Sequence, residues 1–440
     1  MHKLINEIIT AVVRREFSRA MRFEGGEEPV LPSAPPQASR LLYLHVPFCE
    51  QLCPYCSFNR FLFDAGLCKR YFHALREEIR LYRDRGYDFS GIYVGGGTPT
   101  VMTDELAATL AAAKECFSIR EISVETNPHH LTEDRLRVLK EAGVNRLSVG
   151  VQSFDDDLLK DMDRLEKYGS GEEIAARLTA VHGRFDTLNA DMMFNFPSQT
   201  EEILRRDLDI LLAIGVDQVT YYPLMVSDST RRLVAERLGR VDYRREERFY
   251  NLILRRLLPA YRFSSAWCFS RQDGMIDEYI VDYDEYAGLG SGSIGFLNGA
   301  CYANTFNVAE YIHKISQGRL PLMATRSFGR RDQLRYDFLM RLFGTRLDLD
   351  RLRDKYGVDP WGYLRFEILA FLLAGRLRYK AGRLTLTDRG CYSWVIMMRE
   401  FFIAVNNFRD FCRAPLLGGK TGGGYGGTTE AMAATVAQDR

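Results

Sequence analysis

The chain has 440 residues, of which 46% are hydrophobic, 12% aromatic and 27% charged. This composition excludes wholesale disorder and predicts one large domain with attachments, or two to three domains. The 59 basic and 58 acidic residues leave a net charge of +1, which argues against a general nucleic-acid binder because such a protein needs a basic field.

Residues 1–23 have the apolar spacing of an amphipathic helix, with more basic than acidic side chains. Two interpretations stay open: a helix packed on the main body, or a helix in peripheral contact with an anionic membrane surface. A linker rich in Pro, Gly and Ser follows, so residues 1–39 are predicted to be a helix and a linker.

Residues 40 to about 226 alternate between six apolar, β-branched runs and helical stretches. Six strand–helix units in series predict an α/β fold with a parallel sheet. A partial (β/α)6 barrel of the TIM type is the first interpretation, and an open doubly wound sheet is the alternative. In both, the functional site lies at the carboxyl ends of the strands.

The rest of the chain divides by composition. A Gly-rich stretch near residue 290 extends the predicted barrel unit to residues 40–310. Residues 311–412 are predicted to be a smaller, mostly helical domain with a hairpin at RLRYKAGRLTLTD, and the Gly-rich tail 413–440 is predicted to be disordered. No apolar run reaches the ~18 residues that span a bilayer. The start, MHKLINEIIT, lacks the core of a signal peptide, so we expect a cytoplasmic protein, peripheral at the inner face of the membrane if residues 1–23 bind lipid.

Three of the nine cysteines, Cys49, Cys53 and Cys56, lie within eight residues directly after the first strand. Three thiolates on one short loop can hold three corners of a cubic iron–sulfur cluster and leave its fourth iron open. A structural zinc site needs four ligands, and His45 is a poor fourth because we expect it to be packed or hydrogen-bonded. The spacing therefore favours a 4Fe–4S cluster over zinc or inert thiols.

This Cys-x3-Cys-x2-Cys spacing, with Tyr55 before the last cysteine, resembles the signature of the radical S-adenosylmethionine (SAM) superfamily. The wider context LYLHVPFCEQLCPYCSF, YVGGGTPT and SVGVQSF resembles its anaerobic coproporphyrinogen III oxidase-like branch over roughly residues 40–310. The resemblance implies that the open iron chelates SAM and that one electron cleaves it to methionine and a 5′-deoxyadenosyl radical. It also implies a flavodoxin- or ferredoxin-type electron donor.

The resemblance implies two SAM molecules and a set of residues for each. The first SAM is expected to contact Tyr43, Gly96, Glu125 and Ile294, and Tyr55 in the cysteine motif is also expected to contact a cofactor. The second is expected to contact Gly97, Thr98, Gln152, Arg164 and Asp191. A Gly run can also be a tight turn, a carboxylate at a strand end can be paired with an arginine, and each remaining polar residue can be an ordinary strand-end residue. No residue is identified as catalytic.

Several departures from the branch guide the choice of activity. The stretch FSSAWCFSRQDG stands where a Met-Asp-His-Phe-like motif is expected, FNFPSQT replaces the usual Gly-Leu-Pro form, and the His and Tyr-Trp pattern of haem chaperones is missing. We therefore expect a radical SAM methyltransferase acting at an sp2 carbon of a small aromatic substrate. The amphipathic N-terminal helix favours a lipid-soluble quinone, with methylation of menaquinone at carbon 8. The alternatives are a coproporphyrinogen III oxidase-like decarboxylase, a haem-methylating ring-opening enzyme and a non-enzymatic haem chaperone.

Overall fold

A computed structural model describes residues 2–21, 23, 30–32, 39–228, 230–272 and 283–413. Most of the predicted linker and the tail predicted for residues 413–440, apart from Arg413, lie outside the described residues. No described helix is long and apolar enough to cross a membrane.

The first half of the chain contains the predicted strand–helix units. After helix α1 (His2–Ala20), its elements are β1 (Arg40–Val46), β2 (Phe48–Cys49), β3 (Phe61–Leu62), α2 (Ala65–Asp84), β4 (Gly91–Gly96), a short 3-10 helix (Pro99–Met102), α3 (Thr103–Cys116), β5 (Glu121–Thr126), a second 3-10 helix (Pro128–His130), α4 (Glu133–Glu141), β6 (Arg146–Gln152), α5 (Asp156–Asp161), α6 (Leu165–Tyr168), α7 (Gly171–Val181), β7 (Thr187–Phe194), α8 (Glu201–Ile214) and β8 (Gln218–Pro223).

The second half adds short strands and a mostly helical region. Its elements are α9 (Arg231–Arg237), α10 (Glu246–Leu257), β9 (Arg262–Phe263), β10 (Cys268–Ser270), β11 (Glu285–Leu289), β12 (Ile294–Leu297), β13 (Ala300–Asn304), α11 (Val308–Ser316), β14 (Leu322–Ser327), α12 (Arg330–Phe343), β15 (Arg346–Asp348), α13 (Leu349–Tyr356), α14 (Pro360–Leu373), β16 (Leu377–Lys380), β17 (Arg383–Leu386) and α15 (Asp388–Arg413). The predicted hairpin is confirmed, because β16 and β17 pair antiparallel.

One sheet organises the molecule, with the strand order β14-β13-β12-β11-β1-β4-β5-β6-β7-β8-β10-β9. The six predicted strands are parallel and follow one another in chain order, and β11 joins them in parallel beside β1. A doubly wound sheet reverses its strand order at a switch point, so that alternative is wrong. The edge strands β1 and β8 of the six-stranded unit pair with β11 and β10 rather than with each other, as an incomplete barrel requires.

Burial on both faces explains why these strands could be found by sequence. Every residue of β1 and β4 is buried, which is typical of parallel strands covered by helices and gives continuous apolar runs. Local signals end the helices where expected: Gly143 follows α4 with a positive φ of 88°, a conformation that glycine adopts without strain.

Helix α1 is confirmed, and one of its sides packs on α15. Phe17 lies edge-on to Phe401 with ring centroids 5.5 Å apart, and Ile9 and Val13 also pack against the core. The other side leaves three aliphatic side chains in solvent, with exposed fractions of 59% for Leu4, 53% for Ile8 and 55% for Val12. Packing therefore accounts for one apolar side of α1 and not for the other.

Charges also join the two helices. Glu400 is buried in α15 and accepts hydrogen bonds from Arg14 Nε of α1 at 2.7 Å and from Arg399 Nη2 at 3.0 Å. Arg399 also pairs with Glu246, which is fully buried. A carboxylate this deep is stable only while it is paired.

Replacing Glu400 by Gln should lower the free energy of unfolding by about 3 kcal/mol, because two arginines lose charge pairing in a buried site. Replacing Arg14 by Ala should cost less than about 1 kcal/mol, because its side chain is 54% exposed and water can replace it. Urea unfolding followed by circular dichroism measures both. Equal losses in the free energy of unfolding for the two variants would show that the buried Glu400 contributes no more to stability than the exposed Arg14.

Candidate active site

The three predicted ligands lie on a loop that begins at the end of β2. Cys49 and Cys53 are buried, Cys56 is half-buried, and all three are free thiols. A turn brings the last two together, with Cys56 N donating to Cys53 O at 3.3 Å. Burial raises the pKa of the Cys49 thiol to about 12, so a thiolate there needs the positive charge of iron beside it. The loop fits three cluster ligands.

The sequence predicted that His45 is a poor fourth ligand, and the structure agrees because both of its ring nitrogens are engaged. Its Nδ1 lies 2.9 Å from the Tyr43 hydroxyl and its Nε2 lies 2.9 Å from the Asn59 carbonyl oxygen. Burial lowers the pKa of His45 to about 4, so it is a neutral ring with both nitrogens engaged. These bonds also fix Tyr43, which is buried beside the ring of Tyr93 at 6.2 Å.

The three glycines at the end of β4 allow that strand to lie directly against the cysteine loop. A Cβ at Gly95 would lie 2.7 Å from a Glu125 carboxylate oxygen, and one at Gly96 would lie 2.6 Å from the His45 ring. At Gly97 it would lie 2.6 Å from the Phe48 carbonyl oxygen. The run is therefore a close-approach element of the protein itself, whatever ligand it also contacts.

Glu125 ends β5 and points toward the glycine run. One of its oxygens accepts from the Tyr93 hydroxyl at 2.9 Å and the other from Gly96 N at 3.2 Å, so a structural arginine is not what holds it. Burial, and then the nearby charge of Asp191, raise the pKa of Glu125 to about 7. Glu125 forms no ion pair with a cation among the described residues, and such a carboxylate is suited to a ligand that carries an ammonium group or hydroxyls.

Gln152 and Arg164 come together at the end of β6. Gln152 lies at an irregularity in the β6–β7 register and has a positive φ of 73°. Arg164 is buried and donates from Nη2 to Asn127 Oδ1 at 3.1 Å and to the Gly150 carbonyl oxygen. Within the part of the chain that the structure describes, its buried Nε has no hydrogen-bond partner. Buried donors of this kind usually meet a ligand or water.

Two hydrogen-bond donors reach the ligand sulfurs. Thr98 Oγ1 lies 3.8 Å from Cys49 Sγ, and Arg164 Nη1 lies 3.8 Å from Cys53 Sγ. Asn127 joins the two donors, because it donates to Thr98 Oγ1 at 2.9 Å and accepts from Arg164. Hydrogen bonds to cluster sulfurs are one of the means by which proteins set a reduction potential.

The other three predicted contacts are Asp191, Tyr55 and Ile294. Asp191 in β7 accepts from Ser148 at 2.6 Å and from Asn189 at 2.9 Å, and burial raises its pKa. Tyr55 packs edge-on against Phe196 with ring centroids 5.6 Å apart. Ile294 is buried in β12, and β12 follows β11, the parallel neighbour of β1.

A charged cluster beside the cysteine loop was not predicted. Glu50 pairs with His129 at 2.6 Å, with His130 at 3.0 Å and with Lys167 at 3.1 Å. Burial alone would raise the pKa of Glu50, but hydrogen bonds from His129 and Lys167 hold it at about 2. The pair of histidines directly after Asn127 and Pro128 was the available signal. These ion pairs hold Glu50, the residue next to Cys49, close to the end of β5.

Comparisons with known proteins agree with this geometry. Residues 43–211 match the family model described as the Radical SAM superfamily. The heme chaperone HemW of Bacillus subtilis is 29% identical over 333 residues, which cover 72% of this chain and 86% of that protein. Anaerobilin synthase of Escherichia coli is 28% identical over an aligned region that covers 71% of this chain and 74% of that protein. The structure of coproporphyrinogen III oxidase (HemN) from Escherichia coli superposes with a TM-score of 0.70 at 22% identity and covers 88% of this chain and 93% of that one. It confirms the fold.

These relatives correct the activity expected from the sequence. Their names refer to haem, anaerobilin and coproporphyrinogen, so the main interpretation, a methyltransferase that acts on menaquinone, is wrong. That interpretation depended on motif departures and on helix α1. The departures do not identify a substrate, and α1 contributes Ile9, Val13 and Phe17 to packing on the body of the protein.

Replacing Gly97 by Ala should remove at least about half of the iron that the protein takes up on anaerobic reconstitution, where a full cluster has about four irons. The added Cβ would lie 2.6 Å from backbone and 3.0 Å from Cys49 Sγ, so the cysteine loop has to shift. The matched control is Gly66→Ala in α2, whose Cβ would meet nothing closer than 3.5 Å. Normal iron content in the Gly97 variant would show that the loop tolerates displacement.

Replacing Glu125 by Gln should make the apo-protein less sensitive to pH. Folding raises the pKa of Glu125 from 4.5 to about 7, so the folded chain holds the proton more tightly and stability falls as pH rises between these values. Between pH 5 and 8 this effect lowers the free energy of unfolding of the parent protein by up to about 3 kcal/mol, and the variant should not show this loss.

Thermal unfolding at both pH values measures this difference. Glu78 and Asp207 also have pKa values raised to about 7 by burial, so only the difference between variant and parent isolates Glu125. The control is Glu141→Gln, at an exposed residue of α4. An unchanged pH dependence in the Glu125 variant would mean that this carboxylate is already ionised at pH 5.

Proposed function

We propose that this chain handles a tetrapyrrole, with haem as the first candidate. The chain is a radical SAM protein of the coproporphyrinogen III oxidase-like branch, with a 4Fe–4S cluster and SAM as its cofactors. The observation that carries the proposal is the extent of the similarity to the heme chaperone. It covers 333 residues, well beyond residues 43–211 that match the radical SAM family. The likeness therefore includes parts of the chain outside the cofactor-binding domain.

The protein supplies the surroundings of the cofactors. The bound cluster supplies the electron that cleaves SAM. Cys49, Cys53 and Cys56 would hold the cluster. Thr98 and Arg164 direct hydrogen-bond donors at the sulfurs of Cys49 and Cys53, which would favour its reduced state. Glu125, oriented by two hydrogen bonds, is proposed to receive the ammonium or ribose of SAM.

A decarboxylase of the coproporphyrinogen III oxidase type is the second candidate, and one observation favours it. The Nε of Arg164 is buried and has no hydrogen-bond partner among the described residues. It lies near Gln152 and Asn127, which suits a second SAM at this position. A protein that only carries haem does not need this second molecule. Gln152 and Arg164 both lie beside Gly150. We propose that they contact this second SAM and that Asp191 reaches it from the neighbouring strand β7. We propose a flavodoxin- or ferredoxin-type protein as the electron donor for either function.

Replacing Cys49, Cys53 and Cys56 together by Ala should lower the iron content from about four per chain to less than about one and abolish the cleavage of SAM to 5′-deoxyadenosine. Cys116→Ala is the matched control, because Cys116 is a free cysteine at the end of α3, outside the site. Iron analysis and chromatography of the SAM products measure both effects.

Haem titration of the parent protein separates the two functions. A haem-handling protein should show a shifted Soret band that saturates at about one haem per chain, with or without SAM. A decarboxylase should instead release carbon dioxide from coproporphyrinogen III in the presence of reductant and SAM. If neither is observed while SAM is still cleaved, the tetrapyrrole proposal fails and the radical SAM assignment stands.

A further inference from the structure

Three side chains that can bind a metal ion meet beside the cysteine loop, separately from the three cysteines. Glu50 Oε2 lies 2.6 Å from His129 Nε2 and 3.0 Å from His130 Nε2, and the three atoms lie within 4.8 Å of one another. Two imidazoles and one carboxylate are a common ligand set for divalent transition metals in proteins. The atoms that would bind such an ion are therefore already directed at one point.

The convergence of the two histidines does not follow from their position in the chain alone. They are consecutive residues of the 3-10 helix Pro128–His130, and side chains one residue apart on such a helix point about 120° away from each other. Both rings nevertheless direct Nε2 at the same oxygen, and their centroids lie 3.9 Å apart. The ring of His129 also packs against Tyr168, with centroids 5.0 Å apart.

Outer hydrogen-bond partners orient two of the three ligands. His130 Nδ1 lies 2.8 Å from the hydroxyl of Thr100, which is buried and also bonded to Thr126 at 2.7 Å. When Thr100 accepts the Nδ1 proton, Nε2 keeps the lone pair that a metal needs. Lys167 Nζ pairs with the other oxygen of Glu50, Oε1, at 3.1 Å, so Oε2 remains directed at the histidines. Ligands in metal sites usually have such partners behind them.

The three ligands also differ in exposure in a way that suits an ion reached from solvent. The side chain of His130 is 2% exposed, whereas those of His129 and Glu50 are 18% and 28% exposed. A tetrahedral ion with bonds of about 2.1 Å keeps its ligand atoms about 3.4 Å apart. To admit it, Glu50 Oε2 has to withdraw from the histidines by less than about 1 Å, and Glu50 is the most exposed of the three.

We propose that Glu50, His129 and His130 form a binding site for one Zn²⁺ ion, with water in the remaining coordination position. The ion joins the cysteine loop, through Glu50, to the 3-10 helix that follows β5. The site goes beyond the tetrapyrrole function and does not depend on it.

The choice of ion follows from the ligand atoms and from the neighbouring charges. Lys167 already pairs with Glu50, and Arg135 donates to the Thr100 carbonyl oxygen close by, so the site has little net negative charge. Mg²⁺ and Ca²⁺ prefer several oxygen ligands, and this site offers one carboxylate. Imidazole nitrogens suit Zn²⁺ better.

Hydrogen bonds alone are the competing explanation for the contact. They need both histidines to donate from Nε2 to the same oxygen of Glu50, and they need no metal. Glu50→Gln distinguishes the two explanations, because a glutamine oxygen still accepts hydrogen bonds from the histidines but is a much weaker metal ligand than a carboxylate.

The test is zinc binding by the untagged holoprotein, reconstituted so that the iron–sulfur cluster occupies the three cysteines. Equilibrium dialysis should show about one zinc per chain with a Kd below about 10 µM, and Mg²⁺ should bind at least about 100-fold more weakly. X-ray absorption at the zinc edge should show nitrogen and oxygen neighbours at about 2.0–2.1 Å. Sulfur neighbours at about 2.3 Å would place the zinc on cysteines and overturn the proposal.

His129→Ala and Glu50→Gln should each weaken zinc binding at least about tenfold. The matched control is His182→Ala, because His182 Nε2 also faces a carboxylate, that of Asp217 at 3.7 Å, but belongs to no group of three ligands among the described residues. This control should bind zinc as the parent protein does. Iron content and circular dichroism identify any variant that has lost its fold.

Two further results would overturn the proposal. One is the absence of zinc binding by the parent holoprotein, and the other is zinc binding that folded Glu50→Gln and His129→Ala variants retain in full. The X-ray absorption measurement uses the parent protein alone, so it decides the question even if neither variant folds.

Discussion

The end of strand β4 reaches the cysteine loop because three consecutive residues there have no side chain. Glu125, the His45 ring and the backbone of Phe48 each occupy the volume that a Cβ would need at one of these glycines. The loop, the carboxylate and the packed histidine are therefore held at fixed distances by contact with one stretch of main chain. The hydrogen bonds from Tyr93 and Gly96 to Glu125, and from Thr98 toward Cys49, follow from that close approach.

Sequence was sufficient for the central sheet, and it predicted the three cluster ligands for a different physical reason. Strands β1 and β4 are buried on both faces, so their apolar runs stand out from the amphipathic helices between them. Cys49, Cys53 and Cys56 are close in sequence, so their spacing alone restricts the metal centre. Glu125, Gln152 and Arg164 could be placed because they end consecutive parallel strands or follow them, and such ends meet at one edge.

Features that join distant parts of the chain could not be predicted in the same way. Glu50 is held by His129, His130 and Lys167, and no local pattern shows that these four residues meet. The prediction of the substrate was wrong for a related reason. Motif departures show where a chain differs from its relatives, but the chemistry of the bound molecule depends on side chains that the fold assembles from several segments. Similarity over most of the chain carries more of that information.

The contact between α1 and α15 has a consequence for the order in which the protein is made. Helix α1 precedes the other described helices along the chain, and its main packing partner α15 is the last of them, because Phe17 meets Phe401 and Arg14 meets Glu400. Until α15 is synthesised, Phe17 and Arg14 lack these partners, and a helix with an uncovered apolar side is prone to aggregate or to be bound by chaperones. The packing of α1 is therefore completed only after α15 has been made.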